Sequence, residues 1–440
     1  MDGKKKVLIL GQSFNKVTGG GITLSNLFAG WDPNQLAVVC SPPLTDENTD
    51  FKATSNYYQL GDSEHKWRFP LNLLKRKYVS GPVLFSKNSS PPKTKAQNSI
   101  KLRNKIIDNY FYPTLDYLGI KPAASVLKLS PNLERWIDTF SPDVIYAQAT
   151  SRNGVNLIRA LQSRFPHIPF IFHMMDDWPS TVRFGNILGM YWDKVIDSEF
   201  RDLIRKSSLC LSISDYMAEE YEKRYGVAFI PFHNPINVEF WQKGAKSDYA
   251  IGTTCEILYA GRLGLGLEDS LERVAAAVEL VNKQSIVTVK FHLQTPNKPK
   301  WADKYNCVVH RPLVDYQELP IVFGQADFLI LPYDFESKSL AFIKYSMPTK
   351  APEYFASGTP TIVFAPKDTA LVRYVELHDC AALVCQKSTI LLRDVILKMI
   401  DDQDYRCQLG SRARNVVTDL HNSKLVTKRF TATLMSLLNK

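Results

Sequence analysis

No apolar run in this chain approaches the ~18 residues that a membrane-spanning helix requires. There is no C-x-x-C pair, and the seven cysteines are odd in number and widely scattered, which excludes a disulfide framework and a zinc site. Nor does any stretch match G-x-G-x-x-G, so a nicotinamide-binding fingerprint is lacking. The histidines outside His173 show no ligand spacing, and no metal site is expected. The apolar run after the first lysines, Val7 to Leu10, is shorter than the ~7–15 residues of a signal-peptide core, so a cytoplasmic location is expected. With 45% hydrophobic, 22% charged and 11% aromatic residues, the chain is neither disordered, collagenous nor a coiled coil. Its 440 residues call for two or three domains.

Charge is unevenly placed. The formal excess is +10, and eleven Lys/Arg fall between Glu64 and Lys105 against that one acid, leaving the remainder near neutral. Basic residues interleaved with apolar ones, as in KWRFPLNLLKRKYV, suit an anionic membrane surface. The chain carries no recognisable nucleic-acid motif, and none is expected as a partner. The alternative for this region is a solvated loop, because SKNSSPPKTKAQNS is rich in Ser, Pro and Lys.

Two β-α series follow one another. KKVLILGQ, PDVIYAQAT, PFIFHMMDD, LCLSIS and FIPFHNP read as buried strands, with helices such as NGVNLIRALQSRF between them. Gly19-Gly20-Gly21 reads as a loop before a helix beginning near Thr23. After the polar stretch FWQKGAKSDYAIGTT the pattern restarts with CEILYAGRL, VTVKFHLQT, NCVVHRP, FLILPYD, PTIVFAP and AALVC. The fold class is therefore α/β: two Rossmann-like doubly wound domains facing across a cleft, divided near residues 236 to 254. Residues 1–240 are expected to form an N-terminal domain and 250–420 a C-terminal one, with a last helix over 422–440 that could return to the first.

The strongest chemical signal is SMPTKAPEYFASGTP, residues 346 to 360. Thr349 is placed to cap a two-turn helix, Pro352 is tolerated in its first turn and Gly358 closes it. Free amides at such an N-terminus, with Lys350 and the Ser346 and Thr349 hydroxyls, suit a diphosphate. Glu353, expected at a mostly exposed position, could accept hydrogen bonds from ribose hydroxyls. A second loop, Ala260-Gly261-Arg262-Leu263-Gly264-Leu265-Gly266, follows a strand and offers the Arg262 fork to phosphate. Pattern alone leaves an ordinary capped helix and a plain turn open in these places.

Taken in order, GGGITLSNLF, FHMMDDW, SISDYM, HNPINVEFW, YAGRL and SMPTKAPEYFASGTPTIV resemble glycosyltransferase family 4 over nearly the whole chain. The resemblance implies the GT-B fold, transfer from a nucleotide-sugar donor with retention of anomeric configuration, and no metal or cofactor. Carried over by position, Glu353 would hold the donor ribose, while Arg262 and the amides near Thr349 and Lys350 would hold the diphosphate. Gly20 and Gly21 would approach the donor phosphate, and His173 would lie against the transferred sugar. Asp176 and Asp177 rank first as loop or acceptor-side residues and second as a base. Two positions depart from the family: Tyr345 replaces its earlier glutamate, and Leu267 replaces a lysine, whose charge Lys350 or Lys344 could supply.

The acceptor implied is a glycan or lipid-linked hydroxyl in surface polysaccharide or glycolipid synthesis, with residues 64–105 at the inner face of the plasma membrane. Two other readings stand beside it. A sugar-nucleotide epimerase would release an isomerised donor without an acceptor, and a non-catalytic binding protein would hold the donor without turnover.

Overall fold

A computed structural model describes residues 5–45, 48–83, 103–182, 188–264 and 267–438. Gly266 and the lysines at 87, 93, 95 and 101 of the basic segment lie outside the described residues. The chain forms two units: one comprises residues 1–213, 218–231 and 431–440, the other 214–217 and 232–430.

The first unit is built on an eight-stranded sheet in the order Phe229–Pro231, Leu209–Ser212, Phe170–Met174, Val144–Ala147, Val7–Gly11, Leu36–Cys40, Tyr57–Gln59, Gly81–Pro82. All neighbours are parallel except the last pair. The central strands Val7–Gly11, Leu36–Cys40, Val144–Ala147 and Phe170–Met174 are short, apolar and almost wholly buried, as a sheet covered by helices requires. Leu36–Cys40 and Tyr57–Gln59 are two strands beyond those that the sequence pattern marks. The expected loop at Gly19-Gly20-Gly21 is instead the first turn of the helix Gly19–Leu27, whose Thr18 hydroxyl caps the Gly21 amide at 3.2 Å. A Cβ on Gly21 would lie 2.1 Å from Asn15 Nδ2, so close packing accounts for that glycine.

The second unit has a six-stranded, fully parallel sheet ordered Val308–Arg311, Thr288–Gln294, Thr254–Ala260, Phe328–Pro332, Thr361–Phe364, Ala382–Val384. In chain order this is 3-2-1-4-5-6, the doubly wound pattern, and every strand here was legible in the sequence. One core packs Ile257, Phe291, Val278, Leu293 and Leu392 on a single face of the sheet.

The division falls between Pro231 and Phe232, ahead of the expected 236–254. Phe232 packs edge-on to Phe430 and Trp241 stacks on Phe323, 5.4 Å between centroids, so both belong to the second unit. The supposed linker is also anchored there, since Lys246 Nζ donates to the Ala326 carbonyl at 2.9 Å and the Tyr249 hydroxyl to that of Gly358 at 3.0 Å. The final helix, Ser423–Leu438, starts in the second unit and ends in the first.

Candidate functional site

In a doubly wound sheet the chain reverses direction beside the first strand, and the loops at the strands' carboxyl ends diverge there to leave a crevice. In the second unit that point lies between Thr254–Ala260 and Phe328–Pro332, where Gly261 and Arg262 emerge. The helix Lys350–Ser357 is fixed against the same point. The Tyr354 hydroxyl accepts from the Ala260 N–H at 2.9 Å and reaches the Ala260 carbonyl at 3.3 Å. All residues of this helix after Lys350 are buried, so its position comes from packing.

Its start differs from the expectation. Thr349 is already in helical conformation and makes no side-chain cap bond, because the preceding turn is closed by the Ala351 N–H donating to the Pro348 carbonyl at 3.0 Å. The Thr349 hydroxyl is thereby left available. Ser346 is buried, with its hydroxyl on the Phe342 carbonyl at 3.4 Å. Gly358 ends the helix at φ 68°, as the sequence indicated.

Lys350 and Gly261 are in close approach. Nζ donates to the Tyr259 hydroxyl at 3.1 Å and sits 4.5 Å from that ring's centroid. A Cβ on Gly261 would fall 1.7 Å from Nζ, and φ there is 149°, so only glycine fits. Tyr259 passes the contact on by donating to the Arg262 carbonyl at 2.7 Å. The Arg262 side chain is exposed. Burial pulls the Lys350 ammonium down to about 8; Glu353 opposes this and Arg262 adds to it.

Glu353 corrects the sequence reading, being only 6% exposed. Burial pushes its carboxyl up to about 8, with Lys350 acting in the opposite sense. No hydrogen bond to this carboxyl is found among the described residues. Buried polar groups are normally satisfied, so a carboxyl with an open partner position beside a cation is a candidate ligand contact.

Beside this cradle, a cavity of about 250 Å³ is lined by Glu256, His292, Gln294, Arg311 and Val322 among others. The Gln294 carbonyl accepts from the Gly261 N–H at 2.9 Å, joining the two. His292 Nε2 lies 3.6 Å from Glu256 Oε1, while among the described residues His292 Nδ1 and Gln294 Oε1 are buried without hydrogen-bond partners. Nothing in the strand pattern VTVKFHLQT distinguished these polar residues from strand filler, nor Tyr259 and Tyr354 from core aromatics.

Of the departures, Tyr345 is buried with its ring 4.8 Å from Tyr216 and Lys344 Nζ 5.2 Å from its centroid. Lys344 is paired with Asp368 and so is committed. Lys350 is the nearer cation to the Arg262 loop.

The candidate residues of the first unit are enclosed. His173 has no exposed surface, and its Nδ1 lies 2.6 Å from the Tyr146 hydroxyl. That hydroxyl also accepts from Gln148 Nε2 at 2.9 Å. Burial holds the imidazole down to about 3, so it is neutral; the Ser212 backbone favours the charged form without closing a regular bond on Nε2. This excludes a cationic acid near neutral pH.

Asp177 is not an acceptor-side carboxylate. It is fully buried, accepting from the Tyr221 hydroxyl at 2.6 Å, Ser180 Oγ at 2.6 Å and Arg224 Nη1 at 3.1 Å. Those three partners fill its acceptor positions. Asp176 is only partly buried. Nearby, a cavity of about 410 Å³ opens beyond the strands Val144–Ala147 and Phe170–Met174, walled by Trp67, Tyr112, Arg152, Asn153 and Trp178 among others. This volume lies in the range of small-molecule sites.

Two Rossmann-like units of this kind define the GT-B class of fold. In agreement, sucrose-phosphate synthase from Thermosynechococcus elongatus is similar over 99% of this chain and 100% of its own, with a TM-score of 0.64 and 13% identity. HepE from Anabaena, in complex with UDP and glucose, covers 98% and 100% with a TM-score of 0.58 and 12% identity. An α,α-trehalose-phosphate synthase from Burkholderia vietnamiensis covers 98% and 100% with a TM-score of 0.58 and 9% identity. Residues 84–240 match the model of Glycosyltransferase Family 4, which bears out over that segment the resemblance carried by the motifs. No curated protein matches the chain by sequence.

Proposed function

We propose that this protein is a retaining, metal-independent glycosyltransferase that moves a sugar from a nucleotide-sugar donor to a hydroxyl of a glycan or lipid-linked acceptor in surface polysaccharide or glycolipid synthesis. The observation that carries the reading is the cradle in which Gly261 lets Lys350 close on the strand end while Glu353 keeps an unbonded carboxyl beside it. HepE, similar in fold, is described with UDP-glucose, which supports a nucleotide-sugar as the ligand of that cradle.

Cleaving the bond between the anomeric carbon and the diphosphate builds negative charge on the leaving group. Lys350, Arg262 and the amides at the start of the helix are the groups available to oppose it, and fixed donors of this kind are usually the largest catalytic term. Glu353 would accept from the ribose hydroxyls. The neighbouring cavity, with His292 Nδ1 and Gln294 Oε1 open to a ligand, suits the base. His173, enclosed behind the Tyr146 hydroxyl, is given no contact with the transferred sugar in this reading. The cavity walled by Trp67, Tyr112 and Trp178 suits the acceptor, because aromatic faces cover the apolar side of a sugar ring. Basic residues of 64–105 would bring the protein to the anionic inner face of the plasma membrane.

The test is a thermal-shift screen of UDP-, GDP- and ADP-sugars followed by product analysis with candidate acceptors. A native-state ligand raises the unfolding midpoint. No shift with any of them removes the reading. Isomerised donor formed without acceptor would establish an epimerase instead, and binding without turnover a binding protein.

A further inference from the structure

Exposed apolar side chains are concentrated in the first unit. Among the described residues, eleven of the twenty exposed large apolar side chains fall in three short segments, 69–79, 106–118 and 188–191. Phe69 is 80% exposed, Val79 82%, Tyr117 80% and Met190 75%. Single exposed apolar residues are ordinary on a protein surface, but such concentration is not.

Hydrogen bonds tie the three segments into one region. Arg103 Nη2 donates to the carbonyls of Leu73 at 3.1 Å and Lys75 at 3.0 Å. The Arg76 N–H reaches the Tyr112 hydroxyl at 3.3 Å, and the Trp192 indole N–H donates to the Gly119 carbonyl at 2.7 Å. Trp67, Phe111 and Tyr112 form a ring cluster beneath them, with centroids 5.5 to 6.1 Å apart.

The unpaired charge around this face is basic, since Asp116 is paired with Lys121 and Asp193 is also engaged. Arg68, Lys77 and Lys105 are exposed, with no ion pair among the described residues. The neighbouring acids are taken: Glu64 is buried and accepts from Tyr58, Gly61 and Ser130, Asp62 pairs with Lys75, and Asp108 with Arg76. Protruding aromatic and aliphatic side chains bordered by unneutralised cations match a lipid headgroup layer. The rings and alkyl groups enter its apolar boundary, and the cations meet phosphates.

We infer that this face of the first unit docks on an anionic lipid bilayer, with Phe69, Val79, Tyr117 and Met190 entering the headgroup layer and Arg68, Lys77 and Lys105 contacting lipid phosphates. The inference deepens the membrane reading of the basic segment and is independent of the transfer chemistry.

The test is co-sedimentation of the full chain with vesicles of phosphatidylcholine mixed with phosphatidylglycerol, and with vesicles of phosphatidylcholine alone. The wild type is expected to pellet with the mixed vesicles and to stay in solution with the neutral ones. Joint replacement of Phe69, Tyr117 and Met190 by Ser should lower partitioning by about tenfold or more. Ile286→Ser, at a 99% exposed position of the second unit, should change nothing. An unchanged unfolding midpoint shows that the triple variant folds; if it does not fold, Met190→Ser alone is expected to lower partitioning measurably. Wild-type protein remaining in solution with both vesicles overturns the docking face and the membrane reading together. Release by Arg68→Glu with Lys77→Glu, but not by the Ser variants, overturns only the apolar face and leaves contact by charge. Light scattering that shows a dimer broken by the Ser variants, with no lipid binding, would assign the face to a second copy of the chain.

Discussion

The Tyr354 hydroxyl bonds both backbone groups of Ala260, accepting from its N–H at 2.9 Å and reaching its carbonyl at 3.3 Å. One side chain thus locks the Lys350–Ser357 helix to the end of the strand from which Gly261 and Arg262 emerge. Tyr354→Phe leaves a buried N–H without that partner and should cost about 1–3 kcal/mol. The unfolding midpoint is expected to fall, and donor affinity with it, because the helix start loses its fixed distance from Gly261. A midpoint equal to wild type would show that packing alone holds the helix.

Glu353 should make stability depend on pH. Its folded-state carboxyl stays protonated up to about 8, whereas an unfolded one ionises near its ordinary value of 4.5. Between these values the native state holds a proton that the unfolded state has lost, so stability declines as pH rises through this window. Glu353→Gln removes the titration and keeps the shape. It should raise the unfolding midpoint at pH 8 relative to wild type and leave it unchanged below pH 4, while weakening donor binding. Parallel melting curves across this range would refute the buried, raised carboxyl.

Arg262→Ala should slow transfer by about 10²–10³ if the guanidinium stabilises the departing diphosphate. Because the side chain is exposed, the midpoint should hardly move. A transfer rate near wild type takes Arg262 out of the mechanism.

Gly261→Ala places a methyl where Lys350 Nζ now lies, in a backbone conformation that disfavours a side chain. Lys350 must be displaced, and donor affinity should drop by about tenfold or more. Calorimetry decides this, since unchanged affinity would mean that Lys350 is not needed where it stands.

Asp177→Asn leaves the Arg224 guanidinium without its buried counter-charge. Breaking such a pair costs about 3–5 kcal/mol, so the first unit should melt several degrees lower. Loss of activity with an unchanged midpoint would instead restore Asp177 as a site residue.

The strands of the second unit are all legible, because each is a short apolar run bounded by turn residues, even the edge strand Val308–Arg311 that is not fully buried. The closing glycine of the Lys350–Ser357 helix was equally so, since φ 68° suits glycine. Leu36–Cys40 and Tyr57–Gln59 lie beyond that pattern; the second, only three residues long, is too short to show a period. Residues 60–125 carried charge without period, so their aromatic cluster and cavity could not be read.

By itself the sequence determined the alternation of strands and helices, the placing of a diphosphate-suited helix after the fourth strand of the second series, and the concentration of positive charge in 64–105. These depend on residue type and local spacing, which a linear string records. Only the tertiary structure decided that Glu353 is buried, that Asp177 is sealed by Tyr221 and Arg224, that His173 is a neutral ring behind Tyr146, and that Gly261 makes room for Lys350. Each of these depends on groups brought together from distant parts of the chain. A side chain's exposure, protonation and free hydrogen-bonding capacity are set by such neighbours and not by its own identity.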